Sequence, residues 1–194
     1  MRIIAGRAGS LRLKTPRSGT RPTSDRVREG VFSALEARDA LDGAAVLDLF
    51  AGSGALGLES LSRGASSVVL VDRAADAAAA CRANAATVLA SLALDRSAVR
   101  VVPQTADAFL GGDAGRYDLV FLDPPYDLPD DQLAATLGRL VPRLSAGATV
   151  LVERSARSPE PVWPPGIEPV RIRTYGETAI HLAEAVDDNG EDDA

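Results

Sequence analysis

The sequence has one cysteine, one histidine and one tryptophan among its 194 residues. A single cysteine, Cys81, excludes an intrachain disulfide, and this favours a reducing compartment such as the cytoplasm. No cysteine–histidine cluster has the spacing of a zinc site, so we expect no metal. No apolar run reaches the roughly 18 uncharged residues that a membrane span needs. The first residues, MRIIAGRAGSLRLK, do not have the pattern of a secretory signal.

Lysine is also scarce, since Lys14 is the only lysine among 21 basic residues. The formal net charge is −6, and it is unevenly distributed. Residues 1–38 carry nine basic and three acidic side chains, a balance of +6, which leaves −12 for the remainder. Such a basic arm suggests a polyanionic partner, although a solvated basic face has the same composition. Guanidinium groups can pair with two phosphate oxygens or stack on a base, which suits nucleic acid.

Apolar strands and helices alternate along most of the chain. We predict strands at residues 45–50, 67–72, 99–103, 117–123, 148–153, 171–176 and 178–185, and helices at residues 25–41, 54–65, 74–93, 106–110 and 130–144. This alternation is typical of an α/β fold, a mostly parallel sheet with helices on both faces. Residues 2–6 and 11–15 predict a small β-hairpin. The predicted division is a basic hairpin arm at 1–22, one domain at 23–186 and a disordered acidic tail at 187–194.

A glycine-rich turn, Gly52-Ser53-Gly54-Ala55-Leu56-Gly57, joins the first core strand to its helix. The next strand ends at Asp72, 20 residues beyond Gly52, where a carboxylate can accept hydrogen bonds from ribose hydroxyls. Both NAD and S-adenosylmethionine use this arrangement. Asp48 near the end of the first strand favours the second ligand, because a carboxylate suits its ammonium group. The lysine that ends a phosphate-cradling loop is absent, which disfavours nucleotide hydrolysis.

The fourth strand ends in Asp123-Pro124-Pro125-Tyr126. Two consecutive prolines fix the backbone and remove two amide donors, so rigid carbonyl acceptors remain. A carboxylate and a carbonyl can each accept one N–H of an exocyclic amine, which localises the nitrogen lone pair. Tyr126 offers a ring on which an unstacked base can lie. The pattern predicts methylation of a nucleobase amine at this strand end. Asp107, after the third strand, could accept a hydrogen bond from the adenine of the cofactor.

Five segments of the sequence together resemble the RsmD family. They are RIIAG, RPTSDRVREGVFSAL, DLFAGSGALGLESLSRGA, FLDPPY and YGETAIHLAE. This resemblance implies a Rossmann-like methyltransferase fold with a seven-stranded sheet whose last strand is antiparallel. It also implies S-adenosylmethionine-dependent methylation of the exocyclic N2 of one guanine, conventionally numbered 966, in 16S ribosomal RNA. The sequence does not distinguish naked RNA from a partly assembled small subunit as the substrate, but the resemblance points to the particle, and we expect a monomeric enzyme. The turn Arg7-Ala8-Gly9-Ser10 departs from the family, which often has an aromatic and further basic residues there.

Three groups of residues follow from the motifs and the resemblance. The predicted cofactor-binding residues are Asp48, Phe50, Gly52, Gly54, Asp72, Arg73, Asp107 and Ala108. The predicted catalytic residues are Asp123, Pro124, Pro125 and Tyr126, and the predicted RNA-binding residues are Arg7, Arg12, Lys14, Arg17, Arg21, Thr23 and Arg26. An adenine-N6 methyltransferase, an NAD-linked oxidoreductase and a non-catalytic RNA-binding protein remain alternatives. His181 and Cys81 are predicted to be packed residues without a chemical role.

Overall fold

A computed structural model describes residues 1–16, 24–112 and 115–186. Its elements, in chain order, are α1 (Asp25–Glu36), β1 (Ala45–Asp48), α2 (Ala55–Ser62), β2 (Ser67–Val71), α3 (Ala75–Leu92), a 3₁₀ turn (Arg96–Ala98), β3 (Val99–Val102), α4 (Ala106–Gly112), β4 (Tyr117–Leu122), α5 (Asp130–Leu140), a second 3₁₀ turn (Val141–Arg143), β5 (Leu144–Ser155), β6 (Ile167–Tyr175) and β7 (Thr178–Ala185). The predicted tail, residues 187–194, lies outside the described residues.

The seven strands form one sheet in the order β3-β2-β1-β4-β5-β7-β6. β7 runs antiparallel to both of its neighbours, and the remaining pairings are parallel. The predicted architecture, including the antiparallel last strand, is confirmed. The chain moves outward from β1 to β3 and then returns to place β4 on the other side of β1. Ligands of open α/β sheets bind at such a reversal, beyond the carboxyl ends of the strands.

Alternate residues of the strands face two separate apolar layers. Leu119 and Phe121 of β4 pack into the layer that contains α1, α2 and α3. Val120 and Leu122 face the opposite layer, which contains α4 and α5. Burial on both faces explains why these strands are nearly continuous apolar runs in the sequence. No helix in the described ranges is both long and apolar enough to span a bilayer.

Local signals act at the start of α1 and at the end of α5. Ser24 caps α1, since its side chain accepts the amide N–H of Val27 at 3.3 Å. The predicted extension of α1 to residue 41 is wrong, because the chain leaves the helix at Ala37 and Asp39 adopts a left-handed φ of 55°. The helix predicted at 130–144 ends at Leu140, and Pro142 lies in the 3₁₀ turn that follows. This proline has no amide N–H to donate, so the α-helical hydrogen-bond pattern cannot continue through it.

The N-terminal segment is packed on the domain and is not a free arm. Its hairpin has one antiparallel bridge, between Arg2 and Arg12, where two short strands were predicted. Ile3, Ala8 and Leu13 are buried in the layer that contains α2 and α3. The hairpin thus shares a core with the domain. The predicted domain boundaries at residues 22 and 186 stay a prediction.

A buried carboxylate anchors this hairpin. Glu59 of α2 accepts the amide N–H groups of Ile4 at 2.6 Å and Ala5 at 2.9 Å, and Arg63 donates to the same carboxylate at 2.9 Å. Glu59 is fully buried, so its charge depends on these three donors for compensation. Hydrogen bonds to a charged group contribute about 1.5–3 kcal/mol each, enough to hold the hairpin on α2.

Candidate active site

Three carboxylates lie at the carboxyl edge of adjacent strands. β1 lies between β2 and β4 and ends at Asp48, which is level with Leu70 and Phe121 in those neighbours. Asp72 and Asp123 each follow two residues beyond that level, immediately after β2 and β4. The topology therefore brings together the acids that the sequence placed at three separate strand ends.

The glycine loop between β1 and α2 is closed on the core side and open on the other. Gly54 has a φ of 78°, and a Cβ there would lie 2.9 Å from Leu70 Cδ1. Gly52 has a φ of 54°, but a Cβ there would meet no atom within 4 Å. Gly54 is thus required for packing, whereas Gly52 borders open space in which a ligand can approach the backbone.

Asp72 holds the open side of this loop in place. Its Oδ2 accepts the amide N–H of Gly52 at 2.9 Å, and its Oδ1 accepts that of Ala74 at 2.8 Å. Each carboxylate oxygen has a second lone pair, so Asp72 can still accept hydrogen bonds from a ligand. Cys81 is a buried free thiol that donates to the carbonyl of Gly52 at 3.3 Å, which agrees with its predicted packing role.

Asp48 is the most unusual acid of the site. It is 1% exposed, and its Oδ2 accepts the amide N–H of Gly57 at 3.2 Å. Its Oδ1 is buried with no hydrogen-bond partner among the described residues. Burial raises the pKa of Asp48 to about 7; the bond from Gly57 opposes the rise, the charges of Asp123 and Asp72 add to it, and the nearby backbone amide of Phe50 opposes it slightly. A cationic group beside Oδ1 would favour the ionised carboxylate and so lower the pKa of Asp48 again.

The other predicted cofactor residues flank this centre. Phe50 is half-buried two residues after β1, and Arg73, which follows Asp72, is exposed. Asp107 lies in the first turn of α4, where its carboxylate accepts hydrogen bonds from Thr136 and Arg139 of α5, each at 3.0 Å. Thr105 accepts the amide of Ala108 at 3.2 Å, so Thr105 rather than Asp107 has the capping role at this helix start.

The Asp-Pro-Pro-Tyr segment begins at the end of β4, next to β1. Asp123 is half-buried and Pro124 is buried, whereas Pro125 and Tyr126 are exposed. The carbonyl of Pro125 accepts the amide N–H of Leu128 at 2.9 Å in a tight turn. Because the Pro125 carbonyl already accepts this hydrogen bond, the Pro124 carbonyl is the better candidate to accept the second N–H of an exocyclic amine. Tyr126 is 50% exposed, as a platform for a base requires.

The predicted RNA-binding residues divide into three groups. Arg12, Lys14 and Arg26 are exposed. Arg7 is also exposed, but its guanidinium donates to the carbonyl of Leu92 at 3.2 Å and so also fastens the hairpin to α3. Three further predicted residues, Arg17, Arg21 and Thr23, lie outside the described residues.

Two arginines of the described residues are buried, Arg28 and Arg154. Arg28 of α1 is 1% exposed, and its Nη2 donates to Asp25 at 2.7 Å. Arg154, near the end of β5, is buried against the segment that follows Tyr126. The sequence holds a signal for Arg154, because Arg154 lies near the carboxyl end of β5, as Asp48, Asp72 and Asp123 lie at or just after the ends of β1, β2 and β4.

The comparison with known proteins decides the family. The family model described as Conserved hypothetical protein 95 matches residues 1–184. The Escherichia coli K12 protein named Ribosomal RNA small subunit methyltransferase D is 35% identical, over 100% of this chain and 94% of its own length. The chain belongs to this family.

Further relatives of this methyltransferase family agree in sequence and in structure. The Bacillus subtilis protein YlbH, named as a proposed rRNA methyltransferase, is 34% identical over 94% of this chain and 97% of its own. The solved structure of the proposed Escherichia coli methyltransferase yhhF superposes with a TM-score of 0.80 at 33% identity, covering 96% of this chain and 98% of that one. The resemblance found in the motifs is confirmed, and the chain is a methyltransferase. An oxidoreductase is therefore no longer an alternative.

Proposed function

We propose that this enzyme methylates the exocyclic N2 of a guanine in 16S ribosomal RNA, with S-adenosylmethionine as the methyl donor. The observation that carries the proposal is the position of Asp123-Pro124 beside the glycine loop, across the β1–β4 reversal of the sheet. The named function of the Escherichia coli relative, at 35% identity over the full chain, supports the same substrate class.

The residues around the glycine loop fit this cofactor. The orphaned Oδ1 of buried Asp48 suits an ammonium group, and the open space at Gly52 admits a ligand against the backbone. Asp72 would accept hydrogen bonds from the ribose hydroxyls, with Phe50, Gly54 and Arg73 around them. Asp107 and Ala108 would border the adenine. When bound, the cofactor supplies an electrophilic methyl group on a sulfonium.

Asp123 and the Pro124 carbonyl would hold the nucleobase amine. The lone pair of such an amine is delocalised into the ring, so the amine is a weak nucleophile. Two acceptors on its N–H bonds localise the lone pair and stabilise the positive charge that develops on nitrogen in the transition state. Pro124 and Pro125 hold these acceptors rigidly, and Tyr126 would stack on the base. The carboxylate of Asp123 can then take the proton that the amine loses.

The exposed basic residues would bind the RNA backbone. Arg12, Lys14 and Arg26 are exposed in the described structure, and we propose that Arg7, Arg17, Arg21 and Thr23 belong to the same footprint. A partly assembled small subunit as substrate, a monomeric enzyme and a cytoplasmic location complete the proposal.

Transfer of a radiolabelled methyl group tests this function. Immature small subunits and naked 16S RNA are incubated with labelled S-adenosylmethionine, and the RNA is digested to nucleosides. We expect the label in N2-methylguanosine, with more transfer to the particle. If neither substrate is labelled while the cofactor binds, the proposal fails.

Adenine-N6 methylation remains the second candidate, because the amine of adenine poses the same chemical problem to Asp123 and Pro124. The same nucleoside analysis separates the two candidates, since label in N6-methyladenosine would show that the target base is adenine and not guanine.

A further inference from the structure

Arg154 lies beside the segment that begins with Asp123. β4 and β5 are parallel, and Leu122 is level with Val152. Arg154 is two residues further along β5, which places it where β4 has ended and residues 123–129 leave the sheet. It is 4% exposed, although its guanidinium is charged. β5 therefore projects a buried cation under the loop that carries the proposed acceptors.

Among the described residues, the hydrogen bonds of this cation go to that loop and to the helix start after it. Arg154 Nη2 donates to the carbonyl of Leu128 at 3.2 Å and to Asp130 Oδ1 at 2.7 Å. The amide of Leu128 in turn donates to the carbonyl of Pro125 at 2.9 Å. A continuous chain of hydrogen bonds thus connects β5 to the second proline of the Asp-Pro-Pro-Tyr segment.

Core stability alone does not explain an arginine here. Removing a guanidinium from water is expensive, and an apolar side chain of similar length often stabilises such a position equally well. Arg154 Nε and Nη1 are buried with no hydrogen-bond partner in the described ranges, which adds to that cost. What the arginine provides and an apolar residue does not is a directional hold on Leu128 and Asp130.

The contacts of Arg154 restrain the second end of the segment that begins with Asp123. At one end, Asp123 follows directly from β4, whose ladders to β1 and β5 fix its position. At the other end, Pro129 precedes α5 without a side-chain cap, so the helix start receives no hydrogen bond of that kind. The ion pair between Arg154 and Asp130 supplies the missing restraint.

We propose that Arg154 is a positioning residue, which holds residues 124–128 in the geometry that methyl transfer requires. It acts through Leu128 and Asp130 and touches no reacting atom. The assignment rests on the proposed function, because it presumes that this segment holds the target amine. A displacement of about 1 Å in such a group can reduce turnover by about 100-fold.

Arg154→Met tests the proposal, because methionine fills the space and removes the hydrogen bonds. We expect kcat per cofactor-binding site to fall about 10- to 100-fold, while the dissociation constant for S-adenosylhomocysteine changes less than about threefold. Hydrogen exchange at the Leu128 amide should accelerate at least about tenfold. Arg116→Met is the matched control. Arg116 also donates to a backbone carbonyl, that of Leu144 at 2.8 Å, but it lies just before β4, at the end of the strand opposite to Asp123.

Asp130→Ala removes the same ion pair from its half-exposed side, where folding is less at risk. Its matched control is Asp131→Ala, which changes the neighbouring acid of the same helical turn, an acid that instead contacts the amide of Gln132. We expect Asp130→Ala, but not Asp131→Ala, to reproduce the loss of kcat. The double variant with Arg154→Met should lose no more than the larger single loss, because both act through one contact.

Two outcomes would overturn the proposal. One is unchanged kcat per cofactor-binding site in both Arg154→Met and Asp130→Ala, even if stability falls, since this would make Arg154 purely structural. The other is unchanged Leu128 exchange in both variants. The exchange measurement requires no substrate, so it decides the proposal even if the wild-type enzyme transfers no methyl group and the proposed function fails.

Discussion

Replacing Asp48 with asparagine should stabilise the free enzyme and weaken its cofactor binding. The pKa of Asp48 rises from 3.8 to about 7 on folding, because burial disfavours the carboxylate. This rise corresponds to a penalty of roughly 4 kcal/mol on the ionised form. Asparagine is neutral and its oxygen can still accept the Gly57 amide, but its NH₂ would be buried without a partner, at a cost of about 1–3 kcal/mol. The net gain should be about 1–3 kcal/mol at pH 8.

The pH dependence of this gain has a definite sign. The folded state holds the Asp48 proton more tightly than the unfolded state, so the wild-type protein loses stability from this group as pH rises from about 4 to 7. The penalty is complete above pH 7 and absent below about pH 4. Urea denaturation of Asp48→Asn and wild type should therefore differ most at pH 8 and much less at pH 5.

Cofactor affinity should move in the opposite direction. Loss of one charge-assisted contact of about 1.5–3 kcal/mol predicts about 10- to 100-fold weaker binding of S-adenosylhomocysteine by calorimetry. Wild-type affinity should also rise between pH 6 and pH 8 with release of a proton, and the variant should lose this dependence. An asparagine variant that is less stable at both pH values, or that binds with unchanged affinity, would refute the reasoning.

Two further perturbations concern the N-terminal hairpin. Gly6→Ala places a Cβ 2.2 Å from the backbone oxygen of Ser62, so it should cost about 3 kcal/mol or more in urea denaturation. Its control Gly43→Ala, with a similar φ and nothing within 4 Å, should cost only about 1–2 kcal/mol; equal losses would contradict the docking contact. Arg12→Gln with Lys14→Gln should weaken RNA binding and reduce the salt slope by about two, and an unchanged slope would remove both residues from the footprint.

The sequence predicted the sheet because its signals there are local. Each core strand is a short apolar run, and the turn at Gly176 fixes the antiparallel pairing of β6 with β7. The carboxylates of the site were predictable for a related reason, since the ends of parallel strands meet at one edge. Asp48, Asp72 and Asp123 needed only the strand order to become neighbours.

The sequence did not predict where the hairpin docks or which arginines are buried. Basic composition suggested a hairpin arm but not its docking site, because the contacts of Ile4 and Ala5 with Glu59 join residues more than 50 positions apart. Arg28 and Arg154 carry the same charge as their exposed neighbours, and their burial depends on Asp25 and Asp130. Such pairings are tertiary, so neither periodicity nor motif spacing reveals them.

The most direct test of the central claim is to map methylated guanines in 16S ribosomal RNA from cells that lack this chain. The account predicts that one N2-methylguanosine is missing, that the wild-type chain restores it, and that Asp123→Ala does not, although its affinity for S-adenosylhomocysteine is nearly unchanged. Restoration of the mark by Asp123→Ala, or a complete set of methylated guanines in the deleted cells, would contradict it.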